Sequence, residues 1–181
     1  LTGGLMALRM GLGADRFVAA TNRNDVLPRY LETGRAGARE AVSTPSSAMD
    51  VGDPSNLERI RHLYGDDVSR LREDLSASSH GDDATRRTIA RVHRQHGYTL
   101  DPHTAVGWRG LEEVLQGRPG AAGIVVSTAH PAKFRDVVEP LVDGPVSAPE
   151  RWTAALEGEG RSVRMDPDPG ALRELLLDRA G

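Results

Sequence analysis

The 181-residue sequence contains no cysteine, a single lysine (Lys133) and few aromatic residues, which make up 4% of the chain. Without thiols it can form no disulfide, and it has no thiolate metal ligand or cysteine nucleophile. No apolar run approaches the roughly 18 residues of a membrane-spanning helix, and no signal peptide is recognisable. We therefore expect a cytoplasmic protein without a membrane partner.

The sequence also lacks the charge pattern of a nucleic-acid-binding protein. The formal net charge is −3, and no long run of basic residues occurs. Proteins that bind DNA or RNA neutralise its phosphates with clustered Lys and Arg. We expect no nucleic-acid partner.

Several enzyme motifs and metal sites are missing as well. There is no HExxH helix, no GxSxG elbow and no GxxxxGK phosphate loop. His93 and His96 have a spacing that can bind a metal on a helix, but no acidic ligand accompanies them. Surface histidines are the simpler interpretation, and we predict no metal site.

Short apolar strands alternate with segments of helical periodicity, which favours a parallel α/β sheet that is incomplete in this chain. Gly34 and Gly97 are placed to end helices, and Asp101 before Pro102 is a strong helix start. Residues 76–83 are small and polar and predict a mobile connection. Strands are predicted at 16–22, 41–44 and 123–127, and helices at 1–11, 26–33, 54–64, 68–75, 85–96, 102–115, from 131 onward and at 169–179.

The segment 127–134 (STAHPAKF) follows a predicted buried strand, where α/β proteins bind small molecules. Thr128 can point into the crevice as a ligand, or it can cap the helix that starts at Pro131. His130 is either a ligand or acid–base group or a hydrogen-bonded turn residue. Lys133 either attracts an anion or pairs with Asp136 on the helix surface.

Two further polar groups have the same ambiguity. Asn22, Asn24 and Asp25 follow the strand at 16–22, where their side chains can bind a carboxylate, a phosphate or the backbone. Asx residues after a strand are also common turn formers. Asp101, with His103 and Thr104 beside it, can be functional, although helix capping by Asp101 is the simpler explanation.

Five motifs occur in a fixed order along the chain: VAATNRNDVL (18–27), SSAMDV (46–51), PSNLER (54–59), GYTLDPHTAVG (97–107) and STAHPAKF (127–134). In this order and spacing they resemble threonine synthase, and the resemblance covers residues 1 to about 140. It implies the tryptophan-synthase-like fold of fold type II pyridoxal-phosphate enzymes, a three-layer parallel sheet with flanking helices that this chain holds in part. In 54–59, Leu57 replaces the usual phenylalanine, and the stretch 64–83 is short for the family.

The resemblance also implies a function. Threonine synthases convert O-phospho-L-homoserine and water to L-threonine and phosphate with pyridoxal 5'-phosphate. Thr128 matches the residue whose hydroxyl meets the pyridine nitrogen of the cofactor. The substrate-side candidates that follow from the resemblance are Asn22, Asn24, Asp25, His130 and Lys133. The Schiff-base lysine is expected upstream of Leu1, so no catalytic residue is assigned in this chain.

We accordingly expect residues 1–141 to be the carboxyl-terminal part of the catalytic region, with a helical insertion at about 54–96. Residues 142–181 are expected to be an extension with a terminal helix. A missing amino-terminal portion is the expected partner, and the chain alone is expected to be inactive. The alternatives are a threonine-synthase-like phospholyase and a non-catalytic fragment.

Overall fold

A computed structural model describes residues 1–158, 160 and 162–178. The chain divides into two units, Leu1–Ser147 and Ala148–Gly181. No helix in the described ranges is long and apolar enough to cross a membrane. The first unit contains helices α1 (Thr2–Arg9), α2 (Val26–Thr33), α3 (Asn56–Tyr64), α4 (Val68–Asp74), α5 (Asp82–His96), α6 (Pro102–Leu115) and α7 (Arg135–Val138), and strands β1 (Phe17–Thr21) and β2 (Leu75–Ser79); the second contains α8 (Glu150–Glu157) and α9 (Pro169–Asp178).

The two strands form a parallel sheet, in register from Phe17 opposite Leu75 to Thr21 opposite Ser79. Helices α2, α3 and α4 separate them in the chain, which provides the long connection that parallel strands require. The predicted α/β class with a parallel sheet is thereby confirmed. The predicted end of the terminal helix, Arg179, lies outside the described residues.

The mobile connection predicted at 76–83 is wrong, because β2 begins at Leu75 and α5 begins at Asp82. Leu75 is only 2% exposed and anchors the strand in the core. The serines that follow were interpreted as a loop from their polarity. They form a strand because β1 supplies the backbone partners along its whole length.

An apolar cluster joins α1, α2, α3, α4 and the start of β2. Leu5, Ile60 and Leu71 are each at most 1% exposed within it. Tyr64 closes its edge, where its hydroxyl donates to Asp74 Oδ2 at 2.7 Å. Burial, with this hydrogen bond as a second cause, raises the pKa of Tyr64 to about 12.

The predicted helix boundaries agree well where caps are present. Gly34 and Gly97 end α2 and α5 with left-handed φ values of 71° and 64°. Asp101 caps α6 by accepting from the backbone N–H groups of His103 and Thr104, and Pro102 occupies the first turn. Local chemistry therefore fixes these boundaries.

Two predicted strands are wrong. Residues 41–44 and 123–127 have no regular secondary structure, and neither segment pairs with a strand in the described part of the chain. Ile124 and Val126 are 89% and 78% exposed, so the second segment is not buried either. Its other face lies on α6, where a Cβ atom on Gly107 would come within 3.4 Å of Val125.

The helix predicted from Pro131 is interrupted. Pro131–Phe134 is a 3-10 turn, α7 follows, and Glu139–Leu141 is another 3-10 turn. Pro140, which lacks a backbone N–H, lies in the second of these turns. The segment is therefore a series of short turns and not one regular helix.

Candidate functional site

The end of β1 is tied to the loop that follows α2 by a compact hydrogen-bonded group, here called the Asn22–Asp50 network, with members Asn22, Asn24, Thr44, Ser46 and Asp50. The Asn22 amide is 1% exposed and donates to Thr44 Oγ1 at 2.7 Å and Asp50 Oδ1 at 2.8 Å. It also approaches Ser46 Oγ at 3.0 Å. The donors of Asn22 are therefore already engaged within the protein.

Asn24 completes this network from the other side. Its amide donates to the Asn22 side-chain oxygen and to the carbonyl of Val42, both at 2.9 Å. Its own oxygen accepts from the backbone N–H of Val42 at 2.8 Å. This pair of bonds to Val42 mimics a strand contact, which explains why residues 41–44 are extended without belonging to the sheet.

Asp25 has a separate role. One of its carboxylate oxygens lies 3.1 Å from the guanidinium of Arg39. The Arg39 backbone N–H in turn donates to the carbonyl of Gly52 at 2.8 Å. Both protein-bound alternatives are present: Asn22 is a turn former, since its side-chain oxygen accepts from the backbone N–H of Asn24 at 2.9 Å, and Asn24 binds the backbone of Val42.

A second buried polar group begins at Asp101, which is 1% exposed. His103 Nδ1 lies 2.9 Å from Asp101 Oδ1, and the Thr104 hydroxyl donates to Asp101 Oδ2. Thr104 Oγ1 is also 2.8 Å from Ser127 Oγ. We call His103, Asp101, Thr104 and Ser127 the Asp101–Ser127 network.

The environment of His103 determines its tautomer. The backbone N–H of Ala48 donates to His103 Nε2 at 3.1 Å, so this nitrogen carries no proton. The proton of the neutral ring is then on Nδ1, which donates to Asp101. The ring of Phe134 packs at 4.9 Å between centroids. His103 therefore connects the motif at 46–51 to α6 and to the segment 127–134.

Thr128 follows Ser127 at the carboxyl end of the extended segment and is exposed. Among the described residues, no side-chain hydrogen bond is found for Thr128. The alternative that Thr128 caps the turn at Pro131 is wrong, since His130 Nδ1 accepts from the backbone N–H of Ala132 at 3.2 Å. The Thr128 hydroxyl remains available for another group.

The other two candidates in this segment differ in exposure. His130 is half-buried and is the turn residue that one alternative described, with Nε2 as its remaining donor. Lys133 is exposed, and its expected surface pair with Asp136 does not form within the described ranges. The structure thus brings Thr128, His130 and Lys133 onto one short segment, while Asn22, Asn24 and Asp25 belong to the other loop.

Two cavities flank the Asp101–Ser127 network. One of about 500 Å³ is bordered by Asp101, Ser127, His130 and the loop 142–147. Another of about 390 Å³ runs along α6 and is largely apolar, with Trp108 and Ser127 in its wall. Ser127 borders both cavities, so the network separates them.

His80 is a buried residue that the sequence analysis did not single out. It follows β2, is 6% exposed, and its Nε2 lies 2.9 Å from Ser78 Oγ. Burial lowers the pKa of His80, while Glu113 at 3.9 Å opposes this shift. The sequence alone does not reveal His80, because a histidine after a strand is a signal only once that strand, β2, has been recognised. Asp50 lies in the motif 46–51 but has no local signal, because its partners Asn22 and Asn24 are more than 25 residues away in the sequence.

In the part of the chain that the structure describes, no group of three or more His, Cys, Asp or Glu side chains could hold a metal ion. His93 Nδ1 lies 3.1 Å from Thr99 Oγ1, and the ring of His96 packs against Trp108. Each imidazole therefore has its own protein contact.

Comparison with known proteins gives a consistent picture. A family model described as "Threonine synthase, C-terminal" matches residues 104–176. The threonine synthase of Escherichia coli (strain K12) is 36% identical over 178 residues, which are 98% of this chain and 41% of that protein. The threonine synthase of Corynebacterium glutamicum is 30% identical and is covered to 42%.

Solved structures agree with the sequence comparisons. The crystal structure of threonine synthase from Escherichia coli superposes with a TM-score of 0.79 at 35% identity, over 98% of this chain and 41% of that one. A structure of PLP-bound threonine synthase from Brucella melitensis gives a TM-score of 0.72 at 33% identity, over 84% of this chain and 38% of that one. The chain is therefore similar to the carboxyl-terminal part of threonine synthases, and it spans about two fifths of the length of the curated relatives it matches.

Proposed function

We propose that this chain supplies the carboxyl-terminal part of a pyridoxal-phosphate-dependent threonine synthase, a lyase that forms L-threonine and phosphate from O-phospho-L-homoserine and water. The observation that carries this proposal is similarity to the Escherichia coli enzyme along 98% of the chain. This chain matches only 41% of that enzyme, so the activity is proposed for the complete protein that contains the chain.

The residues present fit pyridoxal phosphate at one point. Thr128 offers an exposed, neutral hydroxyl at the end of the extended segment, beside the buried Asp101–Ser127 network. A neutral hydroxyl suits the pyridine nitrogen and leaves it less protonated than a carboxylate would. When bound, the cofactor supplies an electron sink for bond breaking at the amino acid, and the protein supplies orientation. Thr128 would hold the ring nitrogen.

The substrate-side candidates divide into two groups in this proposal. His130 Nε2 and the Lys133 ammonium, on the segment after Thr128, would contact anionic or polar groups of the substrate directly. Asn22, Asn24 and Asp25 would act indirectly, because their side chains hold the loop at 39–50. Lys133 is not proposed as the amine that binds the cofactor covalently.

We also propose an amino-terminal portion as the partner of this chain. Ile124 and Val126 give the extended segment an apolar outer face, and its backbone has no strand beside it in the described residues. A strand added from that portion would pair with the backbone, and an element packed on the outer face would bury the Ile124 and Val126 side chains. Residues 1–141 then form the carboxyl-terminal part of the catalytic region, with its helical insertion at about 54–96, and 142–181 form an extension. The chain alone would be inactive, and the location cytoplasmic.

The decisive experiment replaces Thr128 in the complete protein that contains this chain. Thr128→Val should shift the absorption spectrum of bound cofactor and lower kcat/KM about ten- to a hundredfold, the range for losing one hydrogen bond to a charged or reacting group. Thr33→Val is the matched control, since Thr33 is exposed and its hydroxyl bonds only backbone groups near the end of its own helix, the Arg29 carbonyl and the Arg35 N–H. An unchanged spectrum in Thr128→Val would remove Thr128 from the site.

A product analysis tests the reaction itself. The complete protein, incubated with O-phospho-L-homoserine, should release threonine and phosphate in equal amounts. A keto acid and ammonia with phosphate, but without threonine, would show a phospholyase and contradict the synthase proposal.

A further inference from the structure

The Asp101 carboxylate makes more hydrogen bonds than a helix cap requires. Its Oδ1 accepts from the backbone N–H of His103 at 2.9 Å and of Thr104 at 3.4 Å, which are the capping bonds. It also accepts from His103 Nδ1 at 2.9 Å, and Oδ2 accepts from the Thr104 hydroxyl. These two side-chain bonds orient Thr104, which contacts Ser127, and His103, which contacts Ala48.

The direction of each hydrogen bond in this network follows from its neighbours. The ionised carboxylate of Asp101 only accepts, so Thr104 donates its one hydroxyl proton to it. Thr104 Oγ1 can then only accept from Ser127, whose hydroxyl lies 2.8 Å away. The Ser127 proton is thereby directed toward Thr104 on α6, the nearer of its two acceptors, since the Ala129 carbonyl lies at 3.4 Å.

The position of Ser127 determines where the next side chain points. In extended backbone, successive side chains face opposite sides. The segment follows this rule, because Val125 and Ser127 contact α6 while Ile124 and Val126 are exposed. With Ser127 fixed on the helix, Thr128 is directed to the open side.

We propose that Asp101 and Thr104 are positioning residues which act through Ser127 to hold the Thr128 hydroxyl at the place of the cofactor's pyridine nitrogen. This inference rests on the proposed function, which assigns Thr128 to that nitrogen. Neither Asp101 nor Thr104 needs to touch the cofactor, because both are at most 5% exposed behind Ser127.

The His103 end of the Asp101–Ser127 network is bound to another part of the fold. His103 Nε2 accepts from Ala48 in the 3-10 turn Ser47–Met49. That turn is flanked by Ser46 and Asp50, members of the Asn22–Asp50 network. Ser127, which precedes Thr128, is therefore connected to the carboxyl end of β1 through hydrogen bonds and the backbone of this turn.

The test uses Thr104→Val, which keeps the branched shape and removes the hydroxyl, in the complete protein with pyridoxal phosphate bound. The absorption spectrum without substrate should shift in the same direction as in Thr128→Val, and kcat/KM should fall about tenfold. Thr104→Ser, which can still donate and accept, should restore both. Thr88→Val is the matched control: Thr88 is 3% exposed and donates only to Ala84 O of its own helix.

Ser127→Ala provides a second variant that does not disturb the core, because Ser127 is exposed. It should reproduce the spectral shift of Thr104→Val, and the double variant should add little to either single change. A wild-type spectrum in both Thr104→Val and Ser127→Ala, alongside a shifted one in Thr128→Val, would overturn the positioning role and leave the proposed function intact. A wild-type spectrum in Thr128→Val would instead contradict the proposed function.

Discussion

Two five-residue segments that contact α6 differ in an instructive way. β2 is mostly serine, yet it forms a strand in register with β1. The segment 123–127 is largely apolar, yet no strand lies beside it within the described residues, and Ile124 is 89% exposed. Pairing partners decide which segment becomes a strand, while apolar composition indicates only that a surface will be covered. The comparison predicts different responses to mutation on the two sides of α6.

The largest difference in the free energy of unfolding is expected between alanine substitutions of two isoleucines. Ile89 in α5 is 0% exposed, whereas Ile124 is almost fully exposed. In the 181-residue chain, Ile89→Ala should lower the free energy of unfolding by about 2–5 kcal/mol, because it leaves a cavity in the core. Ile124→Ala should change it by no more than about 0.5 kcal/mol. Urea unfolding followed by circular dichroism measures both.

The same pair, measured in the complete protein, sharpens the comparison. If the proposed amino-terminal portion covers the face of Ile124 and Val126, Ile124→Ala should there cost about 2 kcal/mol or more, as for a buried isoleucine. A negligible cost in the complete protein would show that this face stays uncovered. Ile89→Ala is the control, since its cost should be similar in both proteins.

Two glycines of α6 provide the next test. A Cβ atom on Gly110 would lie 2.6 Å from the Cβ of Ala20 in β1, whereas on Gly107 it would only touch Val125 at 3.4 Å. Gly110→Ala should lower the free energy of unfolding by about 1–3 kcal/mol through overpacking, despite the better helix propensity of alanine. Gly107→Ala should gain up to about 1 kcal/mol from that propensity. Equal effects in thermal unfolding would mean that α6 packs alike on both sides.

Sequence signals predicted the parts of the fold that local chemistry determines. The boundaries of α2 match residue for residue, and Asp101 with Pro102 fixes the start of α6. The signals failed where tertiary pairing decides the outcome. Residues 41–44 lie in an extended loop because Asn24 binds Val42, and β2 exists because β1 lies alongside it. Neither partner can be identified from the segment itself.

The candidate site shows the same limit. Thr128, His130 and Lys133 were identified from a strand-to-helix position, although the strand is unpaired and the helix is a 3-10 turn. Capping by Asp101 was foreseen, but the bond from Thr104 to Ser127 spans 23 residues and has no local signal. Asn22 and Asn24 were recognised as polar and placed after a strand, while their partner Asp50 was not.

The smallest effect concerns His80, which follows the paired strand β2. Burial lowers the pKa of His80 below the ordinary value of about 6.5, with Arg109 acting in the same direction and Glu113 opposing it. The folded protein therefore favours neutral His80. As the pH falls below about 6.5, His80 is protonated in the unfolded chain before it is protonated in the folded protein. The free energy of unfolding therefore decreases from that pH down to the pKa of His80 in the folded protein.

His80→Gln should remove this contribution, because glutamine does not titrate. Its thermal unfolding midpoint should fall less than that of the unmodified protein between about pH 7.5 and pH 5.5, where the ordinary histidine pKa lies. The loss of the bond to Ser78 lowers stability at both pH values and cancels in the difference. His62→Gln is the matched control, since it makes the same substitution at an exposed position on α3. An identical pH dependence in His80→Gln and the unmodified protein would mean that burial at the end of β2 does not disfavour protonation of His80.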